Sequence, residues 1–235
     1  MRKAAILLLA AVAALAVEPI VNFPMNEGDL KEIKDVAGNV KNIKIDNVSQ
    51  FSWVGGPDGK ALSFNTPDGM KTYACFRFDM PKELDMTKAF TITALVKTPR
   101  ELHRSRQYVC FYYGDNAGKG PGLRLYISWK MLMLAIGNGT KAEAITSNTR
   151  EGPILSDTWY RIAATYDGKT AKIYINGVER GRKEIAFPTL PKRKWAMVGA
   201  TSTSGAAYGF NGVISQLRIY PAVLSANELA AMQQE

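Results

Sequence analysis

Residues able to carry out catalysis are scarce in this chain. The 235 residues include one histidine, His103, which lies in an arginine-rich segment. A Ser–His–Asp nucleophile would therefore depend on that residue alone. Glycoside hydrolysis needs two carboxylates facing each other across the sugar, but the i,i+2 pairs Glu27/Asp29 and Glu83/Asp85 fall in turn-like segments. A polysaccharide lyase or glycoside hydrolase is consequently the weakest functional interpretation.

Aromatic and basic residues indicate a binding chemistry instead. Flat aromatic rings pack on the apolar faces of sugar rings, and arginines hydrogen-bond to hydroxyl or acidic groups. Trp129 falls at a predicted hairpin turn and Trp195 at a strand entry, and neither has an evident core role. The predicted ligand-binding residues are Trp129, Trp195, Tyr112, Tyr126, Arg77, Arg124, Arg104 and Arg106. The alternative is a sheet face covered by long side chains and loops.

Both cysteines fall on predicted strands. Alternation in Tyr73–Phe78 places Cys75 on the less apolar face, and alternation in Tyr108–Tyr113 places Cys110 there together with Tyr108. Opposed strand residues can reach disulfide geometry, so we predict a Cys75–Cys110 bridge in an oxidising compartment. Two separate, buried cysteines are the alternative.

β-strands are the elements that must position these residues. Short runs of apolar–polar alternation are bounded by Gly, Asn, Asp or Pro without intervening helical periodicity, which predicts two packed antiparallel sheets. The Asp167-Gly168 and Asn176-Gly177 dipeptides predict tight hairpins, because both accept positive φ. The predicted strands are Ala61–Asn65, Tyr73–Phe78, Phe90–Lys97, Tyr108–Tyr113, Leu123–Ser128, Met131–Ile136, Tyr160–Tyr166, Lys172–Ile175, Trp195–Gly199 and Val213–Tyr220.

One short helix is predicted at the C-terminal end. Ser225 and Glu228 have the spacing of a capping box, and Leu224 and Leu229 have the spacing of the accompanying hydrophobic staple. The residues therefore predict an all-β fold of two antiparallel sheets with a short C-terminal helix.

Residues 1–16 are predicted to be an export signal. Arg2 and Lys3 precede an unbroken apolar run, Ala4–Val12, and small residues ending at Ala16 suit a signal peptidase. The apolar run is too short to span a bilayer stably. We therefore expect a secreted or periplasmic protein without a membrane span.

Composition is that of a folded, moderately basic domain. The chain is 46% hydrophobic, which excludes the disordered class, and carries a net charge of +9. Loss of the signal would reduce the 30 basic residues to 28 against 21 acidic ones, leaving +7. We find no linker or internal repeat and predict a single domain over residues 17–235. No nucleic-acid-binding motif is visible, so anionic glycans or cell-surface polymers are the expected polyanionic partners.

Five segments, in order along the chain, resemble those of laminin-G-like, concanavalin A-like jelly-roll domains. They correspond to an early acidic turn, a first long strand, a core strand, a central hairpin and a closing strand. In that order the segments are Asp35–Asn39, Gly59–Phe64, Ala89–Lys97, Thr158–Gly168 continuing into Lys172–Gly177, and Phe210–Tyr220 with Leu224 and Ser225. The resemblance extends from about Ile20 to the C-terminus.

This resemblance implies a jelly-roll β-sandwich that binds glycans or proteins, with no cofactor required. Members of the family commonly carry a structural calcium ion, which would place Asp35, with Glu27 nearby, among its ligands. Ser215 and Gln216 stand where the family has one or two acids. Because calcium favours several oxygen ligands including carboxylates, that departure weakens the metal prediction, and a solvated acidic loop is the alternative.

The function predicted from the sequence is that of an exported, non-catalytic binding protein. Its expected ligand is a carbohydrate, acidic glycans included, held by aromatic rings and arginines. The alternative is a structural or protein-interaction module of the cell surface that has the same fold but no sugar site.

Overall fold

Apolar–polar alternation folds this chain into two antiparallel sheets packed face to face. The computed structural model describes residues 17–66, 69–114, 122–186, 194–203 and 208–232. The predicted signal, 1–16, lies outside the described residues. Within those ranges, no helix is both long and apolar enough to cross a bilayer.

The first sheet has eight strands. A continuous path of seven antiparallel strands is joined by the short strand β1, which pairs with β15. Along the path the strands are β13 (Val178–Glu184), β12 (Thr170–Ile175), β11 (Trp159–Asp167), β6 (Ala89–Lys97), β15 (Gly212–Tyr220), β4 (Gly59–Phe64) and β3 (Phe51–Gly56), with β1 spanning Val21–Phe23.

The second sheet has seven strands and positions most of the predicted binding residues. In spatial order they are β10 (Ala142–Thr146), β9 (Met131–Gly137), β8 (Gly122–Ser128), β7 (Gln107–Gly114), β14 (Trp195–Val198), β5 (Cys75–Asp79) and β2 (Lys41–Asp46). Short 3₁₀ turns at Leu30–Glu32 and Val48–Gln50 complete the regular structure of the N-terminal part.

Tight turns connect the hairpins where the sequence predicted them. Asn176 and Gly177 have φ values of 49° and 73° between β12 and β13, as a two-residue hairpin of the mirror-image type requires. Trp129 has φ 50° in the two-residue connection between β8 and β9. A bulky residue in this conformation is uncommon.

Both sheets contribute to one hydrophobic core. Phe23 of β1 contacts Phe76 and Phe78 of β5 edge-on, with ring centroids 5.1 and 5.0 Å apart. Such edge-to-face contacts add to the burial free energy of the rings. The fold is therefore the predicted all-β sandwich of two antiparallel sheets.

A helix, α1 (Ala226–Ala231), follows the last strand. The predicted capping box is present: the Ser225 hydroxyl accepts from the Glu228 N–H, and the Glu228 carboxylate accepts from the Ser225 N–H. Leu224 and Leu229 are buried in one cluster with Tyr174 and Tyr220 of the eight-stranded sheet. The helix therefore covers part of that sheet's outer face.

Candidate functional site

One row of side chains crosses the outer face of the seven-stranded sheet. Phe76, Phe111 and Leu125 enter the shared core, so alternate residues on the same strands point away from it. Cross-strand pairing aligns them in one row from β2 to β10. In order these residues are Lys44, Arg77, Met197, Tyr112, Arg124, Ala135 and Ala144.

Tyr112 and Trp195 form an aromatic pair beside this row. Their ring centroids are 6.3 Å apart at an interplanar angle of 61°. Both side chains are partly exposed, and both pack over a buried cluster that contains Met197 and Cys75. Two aromatic rings are thus anchored to the sheet by packing while part of their surface remains open to solvent.

Arg124 lies between two further tyrosines. Its Cζ atom is 4.7 Å from the Tyr126 ring centroid and 5.2 Å from the Tyr208 ring centroid, within cation–π range. Tyr126 is only 4% exposed, whereas Tyr208 is 41% exposed. Burial raises the pKa of the Tyr126 phenol, and the positive charge of Arg124 opposes that rise. Arg124 is therefore in contact with one buried and one exposed tyrosine ring.

Arg77 is held by an acidic partner. Its Nε and Nη2 atoms lie 2.9 and 3.4 Å from the two carboxylate oxygens of Asp46 on β2. This two-point contact fixes the guanidinium and neutralises its charge locally. The two arginines of the row therefore have different electrostatic surroundings.

The structure thus brings together five of the eight predicted binding residues. Arg77, Tyr112, Arg124, Tyr126 and Trp195 share the outer face of the seven-stranded sheet. We call Trp195, Tyr112, Arg124, Tyr126 and Tyr208 the aromatic–arginine surface. Sequence reasoning missed Tyr208; the signal available was a single large aromatic residue at the end of a stretch of small residues, 201–207.

The other three predicted residues lie elsewhere. Trp129 is at the β8–β9 turn, five residues beyond Arg124, or roughly 17 Å at the usual rise of a strand. Its ring is covered by Arg104, whose Cζ atom is 3.6 Å from the centroid. Arg106 donates to the Thr66 carbonyl at 3.2 Å. These residues hold loops together at the end of the sheet and are not part of the aromatic–arginine surface.

A β-bulge corrects the predicted orientation of Tyr108. The β7–β8 register shifts between Val109 and Phe111, so Cys110 is the extra residue. Tyr108 and Cys110 consequently belong to the buried core, and Tyr108 does not share the outer face with Tyr112. Strict alternation across the bulge produced the error.

The predicted Cys75–Cys110 bridge is also wrong, because both thiols are free. Strand β14 lies between β5 and β7, which separates the two backbones by about two strand spacings, or ~9.6 Å. Cys75 belongs to the outer-face cluster and Cys110 to the core. Disulfide geometry requires Cα atoms closer than about 7 Å with side chains pointing toward each other.

The Asp35 carboxylate does not suit the calcium ion that the resemblance implies. Oδ1 accepts the N–H groups of Asn22 and Ala37 at 2.6 and 3.1 Å, and Oδ2 those of Asn39 and Val40 at 2.8 and 2.9 Å. Four N–H donors occupy the lone pairs that a cation needs. Asp35 therefore ties the early turn to β1.

The remaining proposed calcium ligand is Glu27, whose Oε2 atom is buried without a hydrogen-bond partner in the described part of the chain. Glu27 accepts a 3.3 Å hydrogen bond from the Lys34 N–H. Among the described residues, no three His, Cys, Asp or Glu side chains gather where they could hold a metal ion. At the closing strand, Gln216 bridges Arg161 and Asp58 at 3.0 and 2.8 Å. The residues present do not fit calcium.

His103 borders an open groove of about 720 Å³ on the opposite sheet. Its imidazole is 3.4 Å from the exposed Glu101 carboxylate. Across the groove, Lys97 lies 2.8 Å from Asp157 and lowers the pKa of that carboxyl. A general acid needs a raised pKa, so Asp157 is poorly suited to protonate a leaving group.

The sequence of this chain matches the model of a known protein family. A laminin G family model, described as the concanavalin A-like lectin/glucanases superfamily, matches residues 68–230. The chain belongs to this superfamily. No curated protein sequence is significantly similar to this member.

Solved structures similar to this superfamily member include toxin binding domains. The binding domain of Paraclostridial Mosquitocidal Protein 1 superposes with a TM-score of 0.71 at 19% identity, over 92% of this chain and 51% of that one. The botulinum neurotoxin serotype G binding domain superposes with a TM-score of 0.70 at 14% identity, over 92% of this chain and 51% of that one. The botulinum neurotoxin DC binding domain, in complex with rat synaptotagmin II, has a TM-score of 0.69 at 12% sequence identity, again over 92% of this chain and 51% of that one. The chain spans about half the length of these structures, and the similarity establishes the fold.

Proposed function

We propose that this protein is a non-catalytic binding module whose ligand is a glycan held on the aromatic–arginine surface. The observation that carries the proposal is the Tyr112–Trp195 pair, two partly exposed rings packed 6.3 Å apart on a sheet face. Each ring is fixed on one side by the protein and can contact the apolar face of a sugar on the other.

Rigid aromatic rings bind with little entropic penalty because packing has already restricted their side-chain torsions. Trp195 and Tyr112 contact a common buried cluster, so sugar binding would not need to order them. Arg124, directly opposite Tyr112 on β8, supplies hydrogen-bond donors that orient a hydroxyl or acidic group. Apolar stacking beside a fixed donor is the combination that sugar recognition requires.

The groove beside His103 supports a non-catalytic role. Its two carboxylates are exposed, with side-chain accessibilities of 82% for Glu101 and 57% for Asp157. Asp157 is also held ionised by Lys97. Catalytic carboxylates that donate protons are instead kept protonated by an apolar or anionic environment. Release of unsaturated or reducing ends from polysaccharides, abolished by His103→Ala, would contradict the proposal.

The site can be tested on a glycan array with three aromatic variants. Trp195→Ala and Tyr112→Ala each remove a stacking surface, and we expect glycan affinity to fall about tenfold or more. Trp129→Ala removes an aromatic ring of the same sheet outside the proposed site, so we expect unchanged binding. Melting temperatures of the variants would verify folding.

Two array results would contradict the proposed site or ligand. If Trp129→Ala weakened binding while Trp195→Ala did not, the site would lie at the β8–β9 turn. If the wild-type protein bound no glycan, the ligand class would be wrong. The protein-interaction alternative would then be favoured; among the similar structures, the botulinum neurotoxin DC domain is in complex with a protein, rat synaptotagmin II.

We also propose that the module acts outside the cytoplasm. The support is the basic, apolar and small-residue pattern of residues 1–16. Expression of the full chain followed by N-terminal sequencing of the exported product would test this. A product beginning at Val17 would support cleavage after Ala16, whereas retention of the full chain in the cytoplasm would contradict export.

A further inference from the structure

We infer that Arg124 forms an anion subsite within the aromatic–arginine surface, so that glycans carrying a carboxylate or sulfate group bind in preference to neutral ones. This inference rests on the proposed glycan-binding function and specifies its ligand class. It follows from a difference between two arginines on the same sheet face.

Arg77 has little charge to offer a ligand. Asp46 contacts its guanidinium at two points, and the Asp46 side chain is only 17% exposed. An acidic ligand would have to compete with this carboxylate. Because a partly buried pair is weakly screened by salt, that competition is unfavourable.

Arg124 lacks such a partner in the described part of the chain. No described carboxylate forms an ion pair with it, and its Nε–H is buried without a hydrogen-bond acceptor. A buried donor without an acceptor is costly. Because that Nε–H is buried, an oxyanion would instead accept from the rest of the guanidinium of this partly exposed side chain and supply the missing negative charge.

Arg124 is placed where it could contact a carboxylate or sulfate substituent of a sugar stacked on Tyr112. Tyr112 is its cross-strand partner, and Trp195 packs against Tyr112. Tyr126 and Tyr208 flank the guanidinium at 4.7 and 5.2 Å. Tyr126 also hydrogen-bonds to Arg124 through its side chain, but a phenol whose pKa is raised by burial stays uncharged and does not neutralise the guanidinium. A sugar over Tyr112 would place its substituents beside a preoriented cation.

The surrounding charges also favour an anion at this point. Among the described residues, the carboxylates beside the row on this sheet face are Asp79 on β5 and Asp46 on β2. β5 is three strands away from β8, or about 14 Å at the usual strand spacing. This separation exceeds the Debye length at physiological salt, about 8 Å, so those carboxylates repel a ligand at Arg124 only weakly.

The experiment uses array glycans in matched pairs that differ only by a carboxylate or a sulfate. We expect the wild-type protein to prefer the acidic member and Arg124→Gln to reduce that preference about ten- to hundredfold, the range of a charge-assisted hydrogen bond. Arg124→Lys retains the charge without the planar fork and should retain part of the preference. The two kinds of pair distinguish carboxylate from sulfate recognition.

The matched control is Arg77→Gln combined with Asp46→Asn. This double variant removes an arginine from the same row but leaves the net charge unchanged, so acidic preference should persist. Equal binding of acidic and neutral pairs, or an unchanged preference in Arg124→Gln, would overturn the inference while leaving glycan binding intact. Failure of every glycan to bind would overturn the proposed function itself.

Discussion

Cys75 and Cys110 are buried on opposite faces of one sheet. Burial raises the pKa of the Cys75 thiol to about 12, with a further contribution from Asp46, and burial also raises that of Cys110. Thiolate is the reactive form, so both residues are inert in the folded protein. Cysteine here serves as a small apolar side chain.

Thiol titration provides the residue-scale test. We expect the folded, unreduced protein to show no reactive thiol and the unfolded, unreduced protein to show two. A reducing agent should leave the melting temperature unchanged, because no covalent crosslink is present to restrict the unfolded chain. No titratable thiol in the unfolded protein, together with a lower melting temperature after reduction, would demonstrate a disulfide and contradict the structure.

Helix α1 is a short element whose stability depends on its cap and on its docking. With six residues it is too short to be stable alone. Its Leu229 contacts the apolar cluster over β12 and β15. A Cβ atom on Gly177 would come within 2.7 Å of the Ala230 Cα atom. Gly177 is therefore required both by the hairpin turn and by the close approach of the helix.

The capping box predicts a pH-dependent contribution to stability. Hydrogen bonds from Ser225 lower the pKa of Glu228, so the ionised form is stabilised by folding. That contribution is present above the ordinary glutamate pKa and is lost as pH falls through the lowered value. At neutral pH we expect Glu228→Ala to reduce the free energy of unfolding by about 0.5–1 kcal/mol.

Denaturant unfolding at neutral and acidic pH would measure this effect. The difference between wild-type protein and Glu228→Ala should shrink at acidic pH. Asn227→Ala, an exposed change in the same helix, is the control and should cost little at either pH. A difference that does not vary with pH would contradict the proposed role of the ionised carboxylate.

At the scale of the whole molecule, both sheets depend on a shared core. Phe23 belongs to the eight-stranded sheet, yet it packs fully buried against Phe76 and Phe78 of the seven-stranded sheet. Phe51, Phe64 and Phe210 form further ring contacts within this core. Neither sheet can bury its apolar face without the other.

We therefore expect the two sheets to unfold in one cooperative transition. Phe23→Ala leaves a cavity between the sheets and should cost about 3–5 kcal/mol, lowering the single melting temperature. Calorimetry would measure it, since equal calorimetric and van't Hoff enthalpies indicate two-state unfolding. Val36→Ala, an exposed control, should leave the transition nearly unchanged. Two separate transitions in the wild-type protein would contradict a shared core.

Much of this architecture follows from local sequence. Alternation predicted ten of the strands, the Asn176-Gly177 turn predicted a hairpin, and the Ser225–Glu228 spacing predicted the cap of α1. Strand β13, with the sequence VERGRKE, was not predicted, because an exposed edge strand need not alternate apolar residues. Turns and helix caps depend on a few neighbouring residues. A strand shows apolar–polar alternation only where one of its faces is buried.

The candidate site was only partly predictable. Alternation correctly placed Tyr112 and Arg124 on one face, since the period of a strand holds over short runs. It failed at the bulge around Cys110, where one extra residue reverses the side-chain orientation. It also could not show that Arg77 forms an ion pair with Asp46 or that Arg124 lies within cation–π distance of Tyr208. Those contacts join residues far apart in sequence.

The sequence by itself determined the class of fold, the short C-terminal helix and the scarcity of catalytic groups. The tertiary structure decided which residues meet: it separated Trp129 from the aromatic–arginine surface, kept the cysteines apart and saturated Asp35 with backbone donors. The physical reason is that alternation fixes the face on which a side chain lies, whereas strand order and register fix its neighbours across the sheet. Those neighbours left Arg77 paired with Asp46 and Arg124 without a described carboxylate.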